Sequence, residues 1–209
     1  MEYKKIVTGQ LEVNTYVVPP SSGANGDCLV IDPSDHCRDV VKYLQKEKLR
    51  PIAVLLTHGH FDHIMGIPEI LDECKEAKIY IHDNDKDMLA DSNRNGSVLM
   101  GADFSVNSGI NPLTEGVMRV GEFEFTVLHV PGHTQGGCAF VFGGETCFCG
   151  DTIFAGSVGR TDLPGGNTRQ LIASIREKIL TLPPQTVLCP GHGGRTTVER
   201  EARSNPFLS

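Results

Sequence analysis

The sequence predicts an α+β fold of two stacked sheets with helices on their outer faces. Three observations carry this expectation. Apolar runs of strand length alternate with helical spacings along the first half of the chain. The second half repeats the scheme. No linker or low-complexity stretch lies between them. Short apolar runs bounded by turn residues fit buried strands, whereas apolar residues three and four apart fit one face of a helix.

Taken in order, Tyr16-Val17-Val18 and Cys28-Leu29-Val30-Ile31 read as strands, the second stopped by Asp32-Pro33. Val40, Val41 and Leu44 mark a helix after Ser34, a candidate N-cap because its hydroxyl can accept from a first-turn N–H. Residues 52–56 form an apolar strand, and Ile64, Ile67, Ile70 and Leu71 space a helix from about residue 62 to residue 74. Ile79-Tyr80-Ile81 is the next strand and 83–90 a short helix. Residues 92–116 are rich in Gly, Ser and Asn, lack a clear period and read as a long loop. A loop of that length within a compact fold is more often functional than idle. In the second half, strands are expected at 123–130, 138–142 and 146–149, and Leu171, Ile172, Ile175, Ile179 and Leu182 form a helical stripe. Val187-Leu188-Cys189 is the last strand, followed by a polar helix near 196–203.

A chain of 209 residues can bury a real core, as one large domain or two small ones. Apolar content of 39% and charged content of 22% are ordinary for a soluble protein. The net charge of -7 argues against nucleic acid and anionic membrane as partners, because phosphate binding needs a basic surface. The N-terminus lacks the long apolar stretch of a secretory signal, and no segment approaches transmembrane length. Seven cysteines, an odd number without zinc-ribbon spacing, are expected to be reduced and mostly buried, as in a cytoplasmic protein. Cys147 and Cys149 would face one side of a strand as small apolar residues rather than form a redox pair.

The chemistry is concentrated in Thr57-His58-Gly59-His60-Phe61-Asp62-His63, directly after the 52–56 strand. On an extended segment, positions i, i+2 and i+4 point the same way, which aims His58, His60 and Asp62 to one side. His63 follows where the chain turns into a helix. Imidazole and carboxylate crowded at a strand end are ligands of the zinc, iron and manganese type. A solvated polar turn is the alternative. Composition alone would produce three His and one Asp at these offsets on the order of once in a thousand such chains. Three further turns each follow a strand and present one ligand beside glycine: Val130-Pro131-Gly132-His133, Cys149-Gly150-Asp151 and Cys189-Pro190-Gly191-His192. Five histidines and two aspartates exceed one tetrahedral site and suit two metals sharing a bridge.

These residues, in this order, resemble the five-part pattern of the metallo-β-lactamase superfamily over essentially the whole chain. The resemblance implies a four-layer αβ/βα sandwich with two mixed sheets and a single domain over residues 1–209. It is closer to glyoxalase II (hydroxyacylglutathione hydrolase). The run Gly150–Gly166 and Asn205-Pro206-Phe207-Leu208 look like the short, single-domain bacterial type of that group. It implies that His58, His60 and His133 hold one divalent metal, that Asp62, His63 and His192 hold a second, and that Asp151 bridges them. Zinc is the first expectation, with iron or manganese also suited to the ligands. Asp32 matches the first family motif and would hydrogen-bond to a ligand from behind.

The implied reaction is hydrolysis of a small-molecule thioester, S-lactoylglutathione or a related 2-hydroxyacyl thioester, by a metal-activated hydroxide. Asp62 would orient the nucleophile and the metals would stabilise the oxyanion. A thiol of pKa near about 8.5 can leave without a dedicated acid. The longer glyoxalase II enzymes carry a C-terminal helical domain that helps bind glutathione, and this chain has no room for it after His192. Arg160 stands where they carry a substrate-binding Lys, while Thr161 and Asp162 replace neighbouring aromatic residues. Arg160 is thus either a partner for a substrate carboxylate or one half of a salt bridge to Asp162. Residues 92–116 are the only segment long enough to supply replacement contacts. A second reading, a persulfide dioxygenase, would use one iron on His58, His133 and Asp151. A non-catalytic metal scaffold, or a hydrolase of lactones or phosphoesters, completes the alternatives. His36 and His82 are expected to be solvated, and His129 packed rather than ligating.

Overall fold

A computed structural model describes residues 1–20 and 26–208. The first sheet holds β1 (Lys4–Thr8), β2 (Val13–Val18), β3 (Asp27–Ile31), β4 (Arg50–Leu55), β5 (Lys78–His82) and β6 (Ile110–Leu113), side by side in chain order. β1, β2 and β3 pair antiparallel, and β3 through β6 pair parallel. Parallel neighbours need crossovers. These are α1 (Arg38–Glu47) between β3 and β4, and α2 (Phe61–Ile64) with α3 (Ile67–Glu73) between β4 and β5. Between β5 and β6 lie α4 (Asp83–Ala90) and α5 (Ser92–Asn95).

The second half builds β7 (Gly116–Val120), β8 (Phe123–His129), β9 (Cys138–Phe142) and β10 (Thr146–Gly150), followed by a small ribbon of β11 (Ile153–Phe154) and β12 (Ser157–Val158). After α6 (Thr168–Ser174), β13 (Val187–Pro190) returns parallel to β10, β14 (Thr196–Thr197) pairs antiparallel with β13, and α7 (Val198–Ser204) follows. The order in this sheet is β14-β13-β10-β9-β8-β7.

The four layers follow from alternation. Along β4, Ala53 and Leu55 point into a core shared by both sheets, with Tyr16, Phe125, Phe140 and Phe148, while Val54 points outward against Val40, Leu44 and Ile70 of the helices. Along β10, Phe148 faces the inter-sheet core, and Cys147 and Cys149 face Leu171, Ile175 and Val198. All seven cysteines are free and buried, and the two flanking Phe148 lie on one face as expected. Burial drives the Cys147 and Cys149 thiols up, which keeps them inert.

Several elements differ from expectation. β1 was not foreseen, because Lys4 and Lys5 break its pattern; they sit exposed on an edge strand, where charge discourages further pairing. Ser34 does not cap α1. It is buried with its hydroxyl on Asp35, and the helix opens later, with Cys37 at the cap position. The helix expected over 62–74 divides into α2 and α3 at Gly66. The Gly66 N–H donates to the Pro33 carbonyl at 3.0 Å, and a Cβ there would lie 2.2 Å from the Ser34 carbonyl oxygen. Pro68 then takes a first-turn position of α3.

The 92–116 segment is built rather than irregular. Asp91 caps α5 by accepting from the N–H groups of Asn93 and Arg94. Asn95 accepts from Ser97 N–H at 2.8 Å and donates to the Phe104 carbonyl at 2.9 Å. A 3-10 turn at Ser97–Met100 follows, and β6 closes the sheet edge. Side-chain-to-backbone bonds of this kind leave no periodic trace in a sequence. The stripe 171–182 begins in α6 and passes into a π-helical turn at Ile175–Ile179. In the 196–203 segment the first two residues are strand, and Thr197 caps α7. His36 is exposed, but His82 is half-buried, stacked on His129 at 4.0 Å between ring centroids, with its Nδ1 accepting from Asn84 N–H. His129 is packed, as expected.

Candidate metal centre

Every ligand candidate stands where a strand ends at the same rim of the sandwich. β3 delivers Asp32, β4 the run 57–63, β8 the turn to His133, β10 Asp151 and β13 His192. Backbone bonds across the sheets hold these ends together. Cys138 N–H donates to the Thr57 carbonyl at 2.7 Å, Asn14 N–H to the Gly191 carbonyl at 2.7 Å, and Gly191 N–H to the Gly150 carbonyl at 2.9 Å. Gly132 sits at φ +134°, a left-handed turn that favours glycine. Gly191 is required by proximity instead, since a Cβ there would lie 2.2 Å from Asp151 Oδ1 and 2.6 Å from His63 Cε1.

The ring orientations are set from behind. The Thr57 hydroxyl donates to Asp32 Oδ2 at 2.6 Å, so its lone pair faces His58 Nδ1 at 3.1 Å. That assigns the proton of His58 to Nδ1 and presents Nε2 to the site. His63 Nδ1 donates to Asp32 Oδ2 at 3.0 Å, His133 Nδ1 to the Arg160 carbonyl at 2.7 Å, and His192 Nδ1 to the Leu11 carbonyl at 2.9 Å. Four imidazoles thus aim Nε2 at a common space, while His60 aims Nδ1, which lies 3.0 Å from His133 Nε2. Asp32 holds two elements at once, its Oδ1 accepting Thr57 N–H at 2.8 Å, and it adopts φ +50°, a conformation Asp tolerates better than most residues.

Potential ligand atoms gather into two groups: His58, His60 and His133, and Asp62, His63 and His192. Asp151 lies between them, with Oδ2 3.8 Å from His133 Nε2 and 3.5 Å from His192 Nε2, and Oδ1 3.5 Å from His63 Nε2. A third group joins Asp32, His58 and His63, but its bonds to Thr57 and His63 already occupy the Asp32 carboxylate. His58 Nε2, His63 Nε2 and Asp151 Oδ1 are buried without a hydrogen-bond partner. Buried polar atoms without partners are costly, and three converging on one space fit cations in that space.

Electrostatics distinguish the two groups. Burial and the neighbouring His63 and His133 hold His58 far below the ordinary imidazole range, and burial beside His133 brings His60 down to about 3. These rings are neutral and ready to ligate. Burial also opposes charge on His63 and His192, but Asp62 and Asp151 outweigh it and hold them at about 9 and about 10. In return, and against the effect of burial, His63 and His192 hold Asp62 and Asp151 below the usual carboxylate range. Without metal, the second group is a charge-balanced pair of ion pairs. A cation held there would take the place of the imidazolium protons.

A residue the sequence did not reveal braces the first group. Asp85 of α4 is fully buried, and its carboxylate accepts from Gly59 N–H at 3.1 Å, Gly136 N–H at 2.6 Å and the Thr134 hydroxyl at 2.7 Å. It ties the loop of His58 and His60 to the loop of His133. Burial pushes its carboxyl up, against those three donors. The available signal was helical phase: Asp85 shares the buried face of α4 with Met88 and Leu89.

Beside the ligands opens a cavity of about 1020 Å³. His60, Asp62, His133, Asp151 and His192 form part of its lining, and residues 93–96 with Val98 and Leu99 form another part. Arg160 also lines it, with its guanidinium bonded twice to Asp162 at 2.8 and 2.7 Å. Of the two roles expected for that side chain, the ion pair is the one formed here. Its main-chain carbonyl, which holds His133, was not foreseen.

A family model described as the metallo-beta-lactamase superfamily matches residues 8–192. The chain is 35% identical over 212 residues to the probable metallo-hydrolase YqgX of Bacillus subtilis, covering 100% of this chain and 98% of that one. It is 35% identical over 187 residues to the hydroxyacylglutathione hydrolase GloC of Haemophilus influenzae, covering 86% of each. Among solved structures it is similar to the B3 metallo-beta-lactamase BLEG-1, at 35% identity and a TM-score of 0.93 over 100% of both chains. It is also similar to TTHA1623 in a di-iron-bound form, at 37% identity and a TM-score of 0.86 over 98% of this chain and 100% of that one.

Proposed function

The chain belongs to the metallo-beta-lactamase superfamily and is a metal-dependent hydrolase with a His/Asp site, and on that premise we propose that it hydrolyses thioesters with two bound metal ions. The observation that carries this reading is the convergence of two ligand groups, with unpartnered buried polar atoms between them, beside one open cavity. His58, His60 and His133 would hold one ion and Asp62, His63 and His192 the other, with Asp151 serving both. When bound, divalent ions supply Lewis acidity and bring the pKa of coordinated water towards about 7.

The protein's own residues do the rest. Asp32 and Thr57 fix the tautomers of His63 and His58, so ligand nitrogens need no reorganisation. Asp62 and Asp151 stay ionised across the neutral range, since their neighbours hold their carboxyls low. Asp62, which lines the cavity, can accept a hydrogen bond from an attacking water and orient it. Among the described residues, the cavity lining adds no Asp, Glu, Cys or Tyr to Asp62 and Asp151. A thioester suits that arrangement, because a thiolate of conjugate pKa near about 8.5 departs unprotonated. The relative named as a hydroxyacylglutathione hydrolase supports the same substrate class. The di-iron form of TTHA1623 supports a two-ion site, with zinc, iron and manganese all suited to these donors.

The test is elemental analysis of purified protein, paired with release of free thiol from lactoylglutathione and from simpler thioesters, with a β-lactam as a parallel substrate. Two ions per chain and thiol release are expected. One ion per chain with oxygen consumption on a persulfide, or turnover of the β-lactam alone, would overturn the thioesterase reading.

A further inference from the structure

We propose that the cavity beside the metal ligands receives an apolar, uncharged substrate body, an inference that rests on the thioester hydrolase reading. Eight large apolar side chains are exposed among the described residues: Met1, Val7, Leu11, Val98, Leu99, Met100, Val117 and Phe207. Leu11, Val98 and Leu99 line this one cavity, and Met100 stands at the adjoining groove shared with Leu11, Phe61 and Asp62. Leu99 is 74% exposed. Exposed apolar side chains gathered at one mouth mark a binding surface, whereas scattered ones do not. They are also anchored. The Ser97–Met100 turn that carries three of them is held by Asn95, whose side chain bonds Ser97 N–H and the Phe104 carbonyl. Phe154 and Leu163 add to the apolar lining.

The charges of the cavity point the same way. Its only lysine or arginine side chains, among the described residues, are Arg94 and Arg160. Arg160 is closed by Asp162 through two bonds, and Arg94 lies 3.3 Å from Asp87 and 3.7 Å from Asp91. An anionic carrier such as glutathione would compete with Asp162, Asp87 or Asp91 for these guanidinium groups, while a neutral apolar group needs neither arginine. The apolar body can belong to the acyl side or to the thiol side of the thioester, since the chemistry recognised is the same.

The experiment measures binding and turnover separately on the metal-loaded protein. Calorimetry with linear amides from acetamide to octanamide probes the cavity without chemistry. Affinity is expected to rise about threefold to fourfold per methylene, the equivalent of about 0.8 kcal/mol per buried CH2. Two thioester series, one lengthening the acyl group on a small neutral thiol and one lengthening the thiol on an acetyl group, show which side carries the apolar body. Leu99→Asp should flatten the chain-length dependence by about tenfold between the shortest and longest members, with metal content and melting temperature as the checks on folding. Chain-length-dependent amide binding without hydrolysis of any thioester would leave the cavity assignment standing and remove the thioesterase reading. Hydrolysis that is independent of chain length in both series, with no amide binding or with preference for the glutathione thioester, would overturn the cavity assignment alone.

Discussion

Asp85 offers a demanding test, because it touches neither the cavity nor a metal-ligand atom. Its carboxylate satisfies two backbone N–H groups and one hydroxyl in a fully buried setting. Asp85→Asn keeps the shape but exchanges one acceptor for a donor. With the amide nitrogen in the Oδ1 position, Gly136 N–H meets a donor; in the Oδ2 position, the hydroxyl of Thr134 can turn to accept but Gly59 N–H cannot. Either way one buried N–H is orphaned, a cost of about 2 kcal/mol within the range for an unsatisfied buried donor. For a chain of this size that lowers the melting temperature by about 4–8 °C. Asp85→Ala removes all three acceptors and should cost about 4 kcal/mol or more, with the bonds not fully additive. Urea unfolding of the metal-free protein measures the stability, and competition with a chelator measures the metal. The loops of His58-Gly59-His60 and His133-Thr134 lose their common brace, so the first metal should be released more readily than the second. Asp85→Ala with stability within about 0.5 kcal/mol of the parent, the scatter of ordinary surface changes, would refute the bracing argument.

Two further outcomes follow from the geometry. Asp151→Ala should deplete both metals, whereas His192→Ala should deplete one and leave residual activity, since Asp151 faces His63, His133 and His192 while His192 faces only the second group; equal metal loss in the two variants, measured by elemental analysis, would count against a shared ligand. The metal-free protein should be most stable near about pH 6.5, the ordinary imidazole value. The stabilisation from His63 and His192, held up at about 9 and about 10, is complete below that value and lost as pH rises through their folded values. His58 and His60 are held down, so on acidification the unfolded chain binds protons that the folded chain refuses, and stability falls towards the His60 value of about 3. Metal requires neutral imidazoles, so loading should abolish the alkaline decline. Melting curves of stripped and loaded protein across this range decide the matter, and a stripped protein that gains stability from neutral pH to about 9 contradicts the charge pattern.

The sequence by itself was sufficient for two stacked sheets with outer helices and for the ligand cluster at residues 57–63, both by short-range rules, while the full ligand grouping came with the family pattern that these residues resemble. Strand alternation sends Ala53 and Leu55 one way and Val54 the other, and the same alternation puts His58 and His60 at one strand end. The turns to His133, Asp151 and His192 were each weak alone and became legible through their order. What the sequence could not supply were relations between residues distant along the chain. Asp85 meets Gly59 and Gly136 only after two crossovers and a change of sheet, and Leu11 meets His192 across 181 positions. The divided helix at Gly66 depends on the packing of Ser34, and the order of 92–116 depends on Asn95 bonding to backbone rather than on any apolar period. Local propensity is written residue by residue, whereas hydrogen bonds and charge pairing between loops exist only once the two sheets have brought those loops to the same rim.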